Sequence, residues 1–166
     1  MMKLYHGGIK AVKKPKILSP DRIGDFGIGF YTTSSREQAG RFVQNKAARE
    51  KQNSGFISIY EVPDDFLLNA MLKIDLFEHA DERWVDFVLK NRLSVDFEHD
   101  FDIIKGPVAN DQVYASFALY EGDIITKTEL LERLKTRRLV DQILFHTEKS
   151  LLVLNYLDCE EIVCRK

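Results

Sequence analysis

Four histidines, two cysteines and one glycine-rich loop are the features of this sequence that could act on a ligand. The histidines are scattered and form no HExxH or HxH pattern, and the cysteine spacing matches neither a CxxC redox pair nor a zinc knuckle. No GxSxG motif offers a serine nucleophile. We therefore expect no metal site, and the richest stretch of possible ligands is interpreted as a polar loop: His99, Asp100 and Asp102.

The glycines between Gly24 and Gly29 are spaced as GxxGxG and precede a predicted strand, with no Lys-Ser/Thr pair after them. Dinucleotide fingerprints and P-loops both need a strand before the glycines and a helix after them. Both interpretations are rejected. An irregular loop that uses glycine for its backbone freedom is the simpler reading.

Hydrophobic periodicity and capping residues place these features on alternating strands and helices without a regular βαβ rhythm. Ser34 or Ser35, and later Thr126, fit helix N-caps. The pattern predicts one mixed α+β domain over residues 1–166. The predicted strands are 3–6, 29–33, 55–62, 101–108, 142–146 and 156–164, the helices begin near 35, 80, 111, 126 and 148, and residues 9–28 form an extended, loop-rich stretch.

The bulk composition is that of an ordinary globular domain. The 166 residues are 45% hydrophobic and 30% charged, with a formal net charge of -2, which gives no general attraction to nucleic acid or anionic membrane. The N-terminus lacks the apolar run of a signal peptide, and no segment has the length of a membrane span. We expect a cytoplasmic protein with reduced thiols and no membrane partner.

Four short segments, taken in order, form a more specific pattern: Leu4 to Gly7 (LYHG), Phe26 to Thr33 (FGIGFYTT), Gln38-Ala39, and Gln142 to Phe145 (QILF). In this order they resemble the ADP-ribosyltransferase superfamily. That superfamily carries a His-Gly at the end of its first strand, a Gly-x-Gly-x-Tyr entering a second strand, and an acidic residue opening a later strand. The whole chain further resembles a family of small bacterial proteins numbered 3990 among the domains of unknown function, with signatures at 106–111 and 141–148.

The resemblance implies a split β-sandwich, two small sheets with flanking helices, that binds NAD as co-substrate between the sheets. His6 would hydrogen-bond the adenosine ribose, and Gly7 would present its backbone to the nicotinamide amide. Tyr31 would stack on or beneath nicotinamide, Phe42 would supply a second aromatic wall, and Thr32 would also line the cofactor site. His6, Tyr31 and Gln142 are the catalytic candidates.

Position 142 departs from the superfamily pattern because it is glutamine where the resemblance predicts glutamate. An amide can hydrogen-bond the ribose, but it has no charge and cannot act as a general base. Three alternatives follow: a mono-transferase that relies on geometry, a substitute acid with Glu148 and Asp141 nearest in sequence, or a domain that binds NAD without turnover.

The resemblance therefore favours a mono-ADP-ribosyltransferase that modifies a macromolecular acceptor, protein or nucleic acid, and that acts as the toxin of a toxin–antitoxin pair. Arg137 and Arg138 precede the predicted catalytic strand and could contact an acidic acceptor, although a solvated helix end explains them as well. The alternative is a catalytically silent module that binds NAD or a protein partner. An RNA 2′-phosphotransferase is disfavoured because its basic phosphate ligands are not found.

Overall fold

The computed structural model describes residues 1–18, 24–94 and 97–164. The predicted loop at 9–28 thus lies partly outside the described residues, at 19–23. The chain forms an α+β fold with two small sheets. Its strands are β1 (Met2–Gly8), β2 (Phe30–Thr32), β3 (Ser54–Val62), β4 (Ile74–Leu76), β5 (Ile103–Pro107), β6 (Asp141–Phe145) and β7 (Asn155–Val163). Its helices are α1 (Arg36–Arg49), α2 (Glu82–Leu93), α3 (Asp111–Glu121), α4 (Lys127–Lys135) and α5 (Glu148–Leu151), with a 3-10 turn at Phe66–Leu68.

Side-chain caps fix where the helices begin. The Ser35 hydroxyl accepts a hydrogen bond from the Gln38 amide at the start of α1, and Thr126 and Glu129 form a reciprocal capping box at α4. The predicted helices and longer strands are confirmed to within a few residues. Strand β4 and the 3-10 turn have no counterpart in the sequence prediction, because three-residue elements carry too little periodicity to be recognised.

The first sheet has the order β1-β3-β7 and is antiparallel, whereas the second has the order β2-β6-β5-β4 with a parallel β4–β5 pair. Two backbone hydrogen bonds between Tyr5 and Thr33, both 2.9 Å, join β1 to the end of β2. This single bridge is where the two sheets meet. The expected pair of small sheets with flanking helices is confirmed.

Three apolar clusters show how the layers stack. One lies between the two sheets and joins Leu4 and Tyr60 of the first to Phe30, Ile143 and Phe145 of the second. A second covers the outer face of the second sheet with α2, α3 and α4, and a third packs α1 against the first sheet. Alternate residues of β6 therefore face opposite clusters, with Leu144 outward and Ile143 inward. No helix within the described residues is long and apolar enough to cross a bilayer.

Candidate functional site

The side chain of His6 separates the two sheets next to their bridge. In a continuous antiparallel sheet the hydrogen-bonded pair after Tyr5–Thr33 would be Gly7–Tyr31. Instead, His6 Nδ1–H donates to the Tyr31 carbonyl oxygen at 2.7 Å, and the imidazole stacks on Phe30 with ring centroids 4.2 Å apart. The Tyr31 carbonyl oxygen therefore accepts a hydrogen bond from the imidazole and not from the Gly7 N–H. Strands β1 and β2 diverge from this point, which we call the split.

The protonation state of this imidazole follows from its surroundings. Burial lowers the pKa of His6 to about 4, against a smaller opposing effect of the hydrogen bond to Tyr31, and the nearby Lys46 charge lowers it further. The ring is therefore neutral at physiological pH, with its proton on Nδ1. Nε2 makes no hydrogen bond to any described residue and carries a lone pair. It can accept a hydrogen bond from a ligand hydroxyl.

Gly7 presents backbone polar groups to the split. Because Tyr5 uses its N–H and C=O toward β2, the alternation of an antiparallel pair directs the N–H and C=O of Gly7 to that same edge, away from β3. Helix α1 packs closely here, since a Cβ at Gly7 would lie 2.5 Å from the Ala39 carbonyl oxygen. Glycine is required for that contact. The edge offers one donor and one acceptor side by side.

Tyr31 lies on the outer face of the second sheet, opposite Leu144 in the β2–β6 register. Its hydroxyl donates to the Gly27 carbonyl oxygen at 2.6 Å and accepts from the Phe26 amide at 3.0 Å. Burial raises the pKa of Tyr31 well above its usual value, so the phenol stays protonated. The residue thus fastens the glycine loop over the start of β2, where Gly27 has a φ of 94° that favours glycine.

Two histidines hold the same loop from the other side. His99 Nε2 bonds the Phe26 carbonyl oxygen at 2.7 Å, and His146 Nδ1 bonds the Ile28 carbonyl oxygen. Their rings are 4.1 Å apart. Within the described part of the chain no group of three or more His, Cys, Asp or Glu side chains is arranged to hold a metal ion. These histidines therefore fix the loop conformation.

Gln142 is the second residue of β6, pairs with Gly106, and lies on the same face of the sheet as Leu144 and Tyr31. Its Nε2 donates to Asp25 Oδ2 at 3.3 Å. Asp25 also accepts a hydrogen bond from the Tyr114 hydroxyl at 3.0 Å and is only 6% exposed. The structure thus brings Tyr31 and Gln142 to one face, with His6 at the strand edge between the sheets.

Sequence reasoning missed Asp25. It is one of 26 acidic residues, and it stands in a loop whose pattern draws attention to the glycines. Its position directly before the Phe-Gly-x-Gly-x-Tyr segment was the available signal, but nothing local indicates burial. The carboxylate against Gln142 comes from a part of the chain 117 residues away.

The two acids nearest to Gln142 in sequence lie in other environments. Asp141 accepts hydrogen bonds from the Ser34 amide and hydroxyl, at 2.9 and 2.6 Å, and so anchors the connection from β2 to α1. Glu148 begins α5, beyond the opposite end of β6. Asp25 is the acid that touches Gln142.

Thr32 and Phe42 occupy contrasting positions. Thr32 is 3% exposed, and its hydroxyl donates to the Ile143 carbonyl oxygen, so its side chain is already engaged inside the protein. Phe42 is 45% exposed on α1, between Ala39 and Val43, the two residues that contact Gly7. An exposed aromatic ring is thus carried by the helix that packs against Gly7. Arg137, which bonds Gln112, and Arg138 lie between α4 and β6.

Comparison with known proteins identifies the family. Residues 2–156 match the family model described as "Protein of unknown function (DUF3990)". The chain belongs to this family. No curated protein matches it. The narrower resemblance drawn from residues 106–111 and 141–148 is thereby confirmed.

Proposed function

We propose that this DUF3990 protein is a mono-ADP-ribosyltransferase that uses NAD as co-substrate and modifies a macromolecular acceptor. The observation that carries the proposal is the split, where His6 keeps β2 away from Gly7 and leaves the Gly7 N–H and C=O on that edge without a backbone partner among the described residues. A primary carboxamide donates to one acceptor and accepts from one donor, and nicotinamide carries such a group.

The other groups around the split suit the rest of the dinucleotide. His6 Nε2 would accept a hydrogen bond from the adenosine ribose, since the neutral ring has its lone pair there. Phe42 offers an exposed ring for the nicotinamide, and Tyr31 supports the wall beneath it. Gln142 would contact the ribose 2″-hydroxyl.

The reaction needs no oxidant. The bond between C1″ of the ribose and the nicotinamide nitrogen breaks, and its electron pair neutralises the pyridinium ring, which leaves as nicotinamide. The ribose passes through an oxocarbenium-like state, and a nucleophilic atom of the acceptor forms the new bond to C1″ and loses its proton. Protein dipoles and charges fixed around C1″ would stabilise this state.

The test measures NAD binding by calorimetry and nicotinamide release by chromatography, with labelled NAD and cell extract to reveal an acceptor. We expect the wild type to bind NAD and release nicotinamide, and His6→Ala to lose at least tenfold in both affinity and rate. His79→Ala is the matched control, because His79 is exposed and lies outside the split. Equal behaviour of both variants, at unchanged thermal stability, would refute the proposal.

A catalytically silent NAD-binding module is the second candidate, and the uncharged amide of Gln142 favours it. It predicts calorimetric binding that His6→Ala weakens, with no nicotinamide released in the presence of any extract. The same two measurements therefore separate the two functions.

A further inference from the structure

Asp25 is a buried carboxylate held by two neutral side chains. Tyr114 of α3 donates to one oxygen at 3.0 Å, and Gln142 of β6 donates to the other at 3.3 Å. With 6% of its surface exposed, the residue has left water almost completely. Such burial of a carboxylate is costly unless the charge is compensated.

Within the part of the chain that the structure describes, no cation is paired with this carboxylate. Among the described residues no Lys, Arg or His nitrogen lies within 4.0 Å of the Asp25 carboxylate, and Arg92 of α2 instead stacks its guanidinium on the Tyr114 ring at 4.3 Å. Burial raises the pKa of Asp25, whereas the hydrogen bonds from Tyr114 and Gln142, the more distant Arg92 charge and the Ala109 backbone oppose that rise. The other ionisable group facing it is Tyr31 of β2. A perturbed acid of this kind is typical of a functional site.

The contact with Asp25 fixes which way the Gln142 amide points. A carboxylate only accepts hydrogen bonds, so the NH₂ group must face Asp25. The amide oxygen is then directed away from Asp25, and it accepts no hydrogen bond from any described residue. Gln142 as a whole is half-buried, so part of its side chain is reached by solvent. Gln142 therefore presents a fixed acceptor.

We propose that Asp25 is the positioning residue that makes Gln142 serve in place of the expected glutamate. It holds the amide so that Gln142 Oε1 accepts the hydrogen bond of the 2″-hydroxyl on the nicotinamide ribose. The Asp25 carboxylate lies behind the Gln142 amide. From there its negative charge would stabilise the positive charge that develops at C1″. Gln142 thus orients the ribose and Asp25 supplies the charge, whereas a glutamate at position 142 would do both. This inference rests on the proposed function.

The decisive experiment exchanges the two side chains. Asp25→Asn keeps the shape and removes the charge, and we expect the rate of nicotinamide release to fall at least tenfold while the KM for NAD changes less than threefold. Gln142→Glu alone places two carboxylates against each other and should also be impaired. The double variant Asp25→Asn, Gln142→Glu restores one charge at the expected position and should recover most of the rate.

The pH profile gives a readout that a merely structural role would not change. The wild-type rate should fall as the pH drops through the raised pKa of Asp25, and Asp25→Asn should lack this limb. Tyr114→Phe removes one donor to the carboxylate, so the limb should move to higher pH. Asp102→Asn is the control, because Asp102 is equally buried but contacts neither Gln142 nor Tyr114.

The outcomes separate the two proposals. If the wild type neither binds NAD nor releases nicotinamide, the proposed function is wrong and the role of Asp25 falls with it. If the wild type is active and Asp25→Asn matches it in rate and pH profile, only the role of Asp25 is wrong. Should Asp25→Asn fail to fold, Tyr114→Phe decides: an unmoved acid limb overturns the inference.

Discussion

Two aspartates, Asp25 and Asp102, are buried to nearly the same extent, with 6% and 5% of their surfaces exposed, yet their surroundings shift their pKa in opposite directions. Asp102 accepts hydrogen bonds from the Lys73 amide at 2.8 Å and the Thr147 hydroxyl at 2.7 Å, and Lys149 lies 3.5 Å away. Burial alone would raise the pKa of Asp102, but these groups outweigh it and hold the pKa below its usual range. Asp25 has neutral donors, the side chains of Tyr114 and Gln142 and the Ala109 backbone, and a raised pKa.

The difference separates stability from function. Asp102 joins the residue before β4, the start of β5 and the N-cap of α5, so its charge holds the second sheet together. Asp25 joins a glycine loop to β6 and α3 without an ion pair among the described residues. A buried acid that costs stability at neutral pH is expected to persist where activity needs it.

Replacing Asp102 should have the largest effect on stability. Asp102→Ala leaves the Lys73 amide and the Thr147 hydroxyl unsatisfied inside the protein, so we expect the free energy of unfolding in urea to fall by about 2–3 kcal/mol. Asp100→Ala is the control, because its ion pair with Lys73 is exposed and screened by solvent, so its loss should change stability much less. Equal losses in the free energy of unfolding of the two variants would contradict the stabilising role of Asp102.

Replacing Asp25 should have a smaller effect of opposite sign. Asp25→Asn removes a buried charge and keeps an oxygen that can accept from Tyr114, so at pH 7 we expect stability unchanged or raised by up to about 1 kcal/mol. The same urea titration measures it. A loss of 2 kcal/mol or more would mean that Asp25 is structural, as Asp102 is.

The pH dependence of these differences should be the subtlest effect and has a defined sign. The folded-state pKa of Asp102 is depressed, so its contribution to stability is present above the unfolded pKa, about 3.9, and is lost as the pH falls through the folded value. The pKa of Asp25 is raised, so the advantage of Asp25→Asn should appear above about pH 3.9 and grow until the folded pKa is passed. Urea titrations from below about pH 3.9 to neutral pH check both predictions. If the free energy of unfolding of each variant followed that of the wild type at a constant offset across these pH values, both predictions would be wrong.

Local chemistry made much of the fold predictable. Ser35 and Thr126 cap their helices with their own side chains, and buried and less buried residues largely alternate along the nine residues of β3. These boundaries can therefore be predicted from neighbouring residues. Strand β4 has three residues and exists because it pairs with β5 in the folded chain. Tertiary pairing of that kind leaves no local pattern.

The candidate site shows the same division. His6, Gly7 and Tyr31 lie in short motifs whose residue types announce a site, and the structure joins them through one hydrogen bond between His6 and the Tyr31 backbone. Asp25 meets Tyr114 and Gln142 across 89 and 117 residues of chain. Position 142 carries a glutamine in place of the expected acid. Only the folded molecule shows that the Asp25 carboxylate lies beside it.

The most direct test is a crystal structure of the protein soaked with NAD. The split predicts that the nicotinamide carboxamide bonds the N–H and C=O of Gly7, that His6 Nε2 accepts from a ribose hydroxyl, and that Gln142 Oε1 faces the 2″-hydroxyl. Nicotinamide bound elsewhere, or a β1–β2 edge closed by a Gly7–Tyr31 pair, would contradict the account.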